Sequence, residues 1–195
     1  MPPDFILASA SPRRKELLQK AGFIFHTCPS FIEEPSEALA VSLLVKKLAF
    51  LKALAVSQSF PHSPILAADT LIAFQNQILG KPKTLEEAQS MLSQLANQTH
   101  TVWTAYCLFQ GTEKQAREVS TLVTFPPLTP LQIERYVKEC HPLDKAGAYG
   151  IQELSPYWEV SIQGSLTSVI GLPLEEVQQD LAHLQIFPRV SSLSF

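Results

Sequence analysis

The chain has 195 residues, 46% of them hydrophobic and 17% charged: enough apolar side chain for a substantial core in one domain or two small lobes, and too much for a disordered segment. A formal net charge of -3 supplies no chain-wide basic field, so non-specific binding to nucleic-acid backbone is disfavoured and an anionic ligand must be met by local cations. Cys28, Cys107 and Cys140 are far apart, odd in number and without CxxC spacing, which argues against a disulfide framework or zinc site; with no secretory leader pattern and no membrane-length apolar run, the expected location is the cytoplasm.

Phe5 to Ala8 is a short apolar run that predicts a buried strand, followed by Ser11 as N-cap and Pro12 at the first helical position. Gly22 ends that helix. Alternation over Phe23 to Cys28 predicts a second strand, and Pro29 to Ser36 an acidic loop. A helix over about Glu37 to Ser57 carries the stripe Val41, Leu44, Val45, Leu48 and Leu51, with Lys46, Lys47 and Lys52 outside it. Ile65 to Phe74 predicts a strand too apolar for an exposed edge. Thr84 and Glu87 form a capping-box pattern before a helix burying Ala88, Met91, Leu92 and Leu95.

Thr101 to Phe109 and Glu118 to Phe125 are β-rich runs around a polar turn containing Gly111, which predicts an antiparallel pair. Thr129 and Gln132 give a second capping box, with Pro130 at the first helical position and Ile133, Tyr136, Val137 and Cys140 on the buried face. A glycine-bearing loop from His141 to Gln152 precedes a strand around Trp158 to Ile162. A final helix starts near Pro173 and buries Val177, Leu181 and Leu184. Strands and helices mingle without strict alternation, so a mixed β-sheet flanked by helices fits better than a doubly wound parallel sheet.

Two arginines, Arg13 and Arg14, fall in a first helical turn, where unpaired N–H groups and the macrodipole already make the potential positive. With the hydroxyls of Ser9 and Ser11 they make a phosphate cradle, unless they pair with Glu16 and Glu33 or point into water. Asp69, inside the apolar run ILAADTLIAF, needs a metal, a lysine or a hydrogen bond to offset its burial. Magnesium or manganese prefers oxygen ligands and takes one or two carboxylates beside substrate phosphates, so Asp69 with Glu33 or Glu34 would suffice. Lys81, in LGKPKT, sits at a turn suited to holding a point charge against a phosphate. In the loop LDKAGAYGIQ, the Gln152 amide can both donate to and accept from a base edge. The five histidines show no metal-ligand spacing, and Walker A, GxGxxG and GxSxG are absent.

SASPRR at Ser9 to Arg14, ADT at Ala68 to Thr70, GKP at Gly80 to Pro82 and DKAGAYGIQ at Asp144 to Gln152 together resemble the Maf family in order and spacing. PSFIEE at Pro29 to Glu34, THTVWT at Thr99 to Thr104 and GLPL at Gly171 to Leu174 extend the likeness over nearly the whole chain, read as one domain over residues 1–195. The resemblance implies a nucleoside triphosphate pyrophosphatase of α/β fold related to the inosine triphosphate pyrophosphatases, with two lobes around a cleft, homodimeric, and of the subgroup acting on dTTP, UTP and modified uridine triphosphates. By position it implies Asp69 as proton acceptor and Arg13, Thr70 and Gln152 as specificity residues. Glu34 and Asp69 would hold the divalent metal, while Ser9, Arg13, Arg14, Lys52 and Lys81 would meet the polyphosphate. This chain departs from the pattern at Glu153, Leu154 and Ser155, where a small, glycine-containing segment is usual, at Ser168 for an asparagine, and at Phe31 for an acid. Two rival expectations are a regulatory nucleotide-binding protein of cell division with little catalysis, and a purine-directed triphosphate pyrophosphatase.

Overall fold

A computed structural model of the chain describes residues 4–32 and 39–189. In chain order the elements are β1 (Phe5–Leu7), α1 (Pro12–Lys20), β2 (Phe25–Thr27), α2 (Val41–Ser57), β3 (Ile65–Phe74), β4 (Gln77–Leu79) and α3 (Leu85–Leu95). After them come β5 (Thr99–Gln110), β6 (Glu113–Thr124), α4 (Pro130–Cys140), β7 (Ser161–Gln163), α5 (Leu166–Ile170) and α6 (Leu174–His183). Three 3-10 turns, Pro142–Asp144, Ala146–Ala148 and Ile151–Glu153, fill the glycine-bearing loop.

The strands form one seven-stranded sheet in the order β2-β1-β3-β5-β6-β7, with β4 paired to β3 off that path. β1 runs parallel to β2 and β3, whereas β4 pairs antiparallel to β3 and β7 antiparallel to β6, so the sheet is mixed as expected. β5 and β6 are neighbours joined through Gly111 and Thr112, a connection too short for a parallel crossover, which makes them the expected hairpin.

By contacts the chain divides into two compact units: residues 1–69, 104–119 and 171–195, and residues 70–103 and 120–170. In the first, Phe5, Leu7, Leu18, Phe23, Leu66, Ala68, Tyr106 and Leu108 pack with Leu172, Val177, Leu181 and Ile186 from α6 and its flanks. Phe5 stacks on Phe25 with ring centroids 5.5 Å apart, across the register pair that joins β1 to β2. The second unit packs Ile72, Phe74 and Leu79 against Ala88, Leu92 and Leu95 of α3 and Ile133, Tyr136 and Val137 of α4, closed by Tyr149, Leu154 and Trp158. Each large apolar side chain removed from water contributes about 1.5–3 kcal/mol, so each unit has its own source of cohesion.

The helix signals at Ser11, Thr84 and Thr129 stand where they were read. Thr129 closes a reciprocal capping box with Gln132, whereas the Thr84 box is half formed. There Thr84 accepts from the Glu87 N–H at 3.2 Å, but the Glu87 carboxylate takes the N–H of Lys83 at 2.7 Å, one residue before the cap. In α2 the buried row is Val45, Leu48, Ala49, Ala53 and Val56, rotated from the expected stripe towards its alanines; Val41, Leu44 and Leu51 are half-buried. The strand expected around Trp158 begins instead at Ser161, and Trp158 is buried ahead of it in the aromatic cluster of the second unit. β4 and the five-residue α5 were not anticipated.

Candidate functional site

The turn from β1 into α1 is built locally. Ser11 caps the helix in extended conformation, Pro12 occupies the first helical position, and Arg13 and Arg14 follow within the same turn. Arg14 is buried rather than solvated: its Nε donates to the Gly171 carbonyl at 2.7 Å and its Nη1 to Ser9 Oγ at 3.1 Å. Ser9 is itself buried and also accepts from the Ser11 N–H at 3.2 Å. Burial holds the Arg14 guanidinium below its ordinary pKa, with the Asp69 carboxylate pulling it up and Arg13 pushing it down, so both of these charges act on Arg14. Of the two acids weighed as partners for the arginines, Glu16 pairs with Lys20 at 2.8 Å, and Glu33 lies outside the described residues.

Asp69 sits in β3 with its side chain 12% exposed, and Lys52 of α2 donates from Nζ to its Oδ1. The compensation that an acid in an apolar strand requires is therefore a lysine four residues on from Leu48, beside the buried row of its helix. The first unit thus brings together Ser9, Arg13, Arg14, Lys52 and Asp69. Glu34, expected as a second metal ligand, lies outside the described residues. Among the described residues no group of three or more His, Cys, Asp or Glu side chains could hold a metal ion.

Thr70, the next residue of β3, opens the second unit, which also holds Lys81 and Gln152. Lys81 is exposed in the segment between β4 and α3, and a side chain built on Gly80 would meet nothing within 4 Å among the described residues. That segment is tied to the AGAYGIQ loop by the Gly147 N–H, which donates to the Gly80 carbonyl at 3.0 Å. Gly147 adopts φ +66°, and a Cβ on it would lie 2.8 Å from Ile72 Cδ1. Two residues on, the Tyr149 hydroxyl bonds His100 Nε2 at 2.7 Å in the core of this unit, and Gln152 stands exposed in the last 3-10 turn.

Two features escaped the sequence reading. The Gly171 carbonyl, 157 residues from Arg14, orients the guanidinium. Lys145 is a buried cation, its Nζ 2.8 Å from Asp144 Oδ1 and 3.3 Å from Glu153 Oε1. Glu153, first of the departing segment, is thus the counter-ion of a lysine inside the glycine-bearing loop. The buried acid Asp180 accepts from Tyr106 at 2.6 Å and Arg117 at 2.7 Å, which accounts for it within the first unit.

Comparison with known proteins gives a match to the family described as Maf-like protein over residues 4–184. The chain is 39% identical to the dTTP/UTP pyrophosphatase of Shouchella clausii over 95% of this chain and 98% of that one. It is 44% identical to the dTTP/UTP pyrophosphatase of Halalkalibacterium halodurans over 90% and 93% of the two chains, and 42% identical to that of Shewanella denitrificans over 91% and 94%.

Proposed function

This chain belongs to the Maf-like protein family, and we propose that it is a nucleoside triphosphate pyrophosphatase that hydrolyses dTTP and UTP, and modified uridine triphosphates, to the monophosphate and pyrophosphate. The observation that carries the reading is the ion pair of Asp69 with Lys52 in the same unit as the Arg14 guanidinium, whose protonation the Asp69 charge influences. A carboxylate paired with an ammonium, beside cations that can take phosphate oxygens, suits hydrolysis of a polyanion. In this reading Asp69 takes a proton from the attacking water as its oxygen bonds the α-phosphorus. The bond from that phosphorus to the bridging oxygen breaks, and pyrophosphate leaves with the electron pair. Arg13, Arg14, Lys52 and Lys81, with the Ser9 hydroxyl, offset charge on the polyphosphate, while Thr70 and Gln152 meet the O4 and N3–H edge of uracil or thymine.

The donor chemistry suits a hard cation: Asp69 offers carboxylate oxygen, of which Lys52 engages Oδ1. Asp69, with Glu34, would hold magnesium or manganese, which when bound supplies positive charge to the phosphates and acidifies a bound water. The two units act as one domain, since the chain passes between them at 69/70, 103/104, 119/120 and 170/171. We assign the protein to the cytoplasm as a homodimer; no helix among the described residues is long and apolar enough to cross a membrane.

The test is a panel of nucleoside triphosphates incubated with magnesium or manganese and assayed separately for pyrophosphate and orthophosphate. The expected result is pyrophosphate with UTP and dTTP above the other bases. Orthophosphate as the product, or preference for a purine triphosphate, contradicts it.

A further inference from the structure

We propose that Lys145 and Glu153 form a brace that sets the position of Gln152, and are thereby positioning residues for base selection; this rests on the reading of Gln152 as a base contact. Gln152 is the middle residue of the three-residue turn Ile151–Glu153 and is exposed, so its amide is aimed by the backbone that carries it. That backbone is held at both ends. At its entry the Gly150 N–H donates to the Tyr136 hydroxyl of α4 at 3.1 Å, a partner buried in the second unit. At its exit the Glu153 N–H donates to the Gly150 carbonyl at 2.9 Å, closing the turn, and the Glu153 carboxylate lies 3.3 Å from Lys145 Nζ.

The Lys145 side chain is 8% exposed, and an ammonium so far from water is stable only with counter-charge at hand. Asp144 and Glu153 supply it; Asp144 neighbours Lys145 in sequence, whereas Glu153 belongs to the turn, so the Glu153 pair couples turn to cation. Gly150 makes this possible. A Cβ there would lie 3.0 Å from Lys145 Cε and 3.1 Å from Glu153 Cδ, so the lysine stem and the carboxylate close over a backbone with no side chain in the way. Beyond the brace, buried Leu154 accepts from the N–H groups of Tyr157 and Trp158 at 2.8 and 3.0 Å, which seats the outgoing chain.

The experiment compares the full chain with Gln152→Ala, Glu153→Gln, Lys145→Gln and the Glu153→Gln/Lys145→Gln double variant. It measures KM and kcat for UTP, and the inhibition constant of inorganic tripolyphosphate, which reports phosphate binding without a base. Glu153→Gln keeps the size of a side chain that is 40% exposed, and thermal melting checks each fold. The brace predicts that Glu153→Gln and Lys145→Gln each raise the UTP KM about two- to tenfold, the scale of one hydrogen bond, with the tripolyphosphate constant unchanged. The double variant should show the loss of either single variant rather than their product. If Gln152→Ala raises the UTP KM while both brace variants leave it unchanged, or raise the tripolyphosphate constant equally, the brace is overturned alone. If Gln152→Ala itself leaves the UTP KM unchanged, the base-contact reading falls and the brace's role falls with it.

Discussion

His100 makes the stability of the second unit depend on pH. Its ring is 2% exposed, bonds Tyr149 through Nε2 at 2.7 Å, and lies edge to face against Phe125 and Tyr149 at 5.3 and 5.5 Å. Nδ1 is buried without a hydrogen-bond partner among the described residues, and burial lowers the pKa from 6.5 to about 4. Because the folded pKa is depressed, the unfolded chain binds more protons between the two values. Stability from this group is therefore complete above pH 6.5, falls as pH drops below 6.5, and stops falling below about pH 4. At about 1.36 kcal/mol per unit the loss by pH 4 is on the order of 3 kcal/mol. Carboxylates titrate in the same range, so the measurement is a difference: urea unfolding of the wild type and of His100→Gln, at pH 7 and pH 4, followed by tryptophan fluorescence. The glutamine variant should lose roughly 3 kcal/mol less than the wild type between the two pH values. Equal losses in the two proteins would mean that the ring is not held neutral by burial, and that Tyr149 and its loop are not anchored as described.

Two further predictions follow from local geometry. Gly147→Ala puts a side chain at φ +66° against Ile72, so it should cost about 1–2 kcal/mol and lower the melting temperature by roughly 2–8 °C; an unchanged melting temperature would refute the backbone requirement. Cys107 is buried and its thiol is pushed up to about 12, whereas Cys28 and Cys140 are half-buried, so alkylation at pH 8 should modify two thiols in the native protein and three in urea. Rapid labelling of Cys107 in the native state would contradict its placement in β5.

What could be read in the sequence was what neighbouring residues decide. Ser11-Pro12, Thr84 and Thr129-Pro130 are caps whose partners lie within a few positions, and they stand in place. β4 was invisible because its turn uses Gln75 and Asn76 at φ 49° and 63°, left-handed residues without the glycine that normally announces such a turn. β5 and β6 run further than their apolar cores because the hairpin extends into exposed, polar residues such as Lys114, Gln115 and Arg117. Trp158 looked like a strand residue, but its burial comes from Phe125 and Tyr136, at centroid distances of 6.0 and 5.0 Å, rather than from a sheet.

The same division holds at the site. Asp69 and the arginines stood out because a carboxylate in an apolar strand and two cations in a first helical turn each need a partner. Which partner answers them is a long-range fact: Lys52 lies 17 residues from Asp69, and the Gly171 carbonyl 157 from Arg14. Lys145 gave no local sign of burial, since its neighbours Asp144 and Ala146 read as an ordinary loop.

The most direct test of the central claim is an Asp69→Asn variant assayed in parallel for pyrophosphate release from UTP and for UTP binding by calorimetry. Loss of turnover by three orders of magnitude or so, with the fold intact and binding retained, is the expected result, the scale set by removing a general base. Pyrophosphate release near the wild-type rate from a folded Asp69→Asn protein would contradict the account.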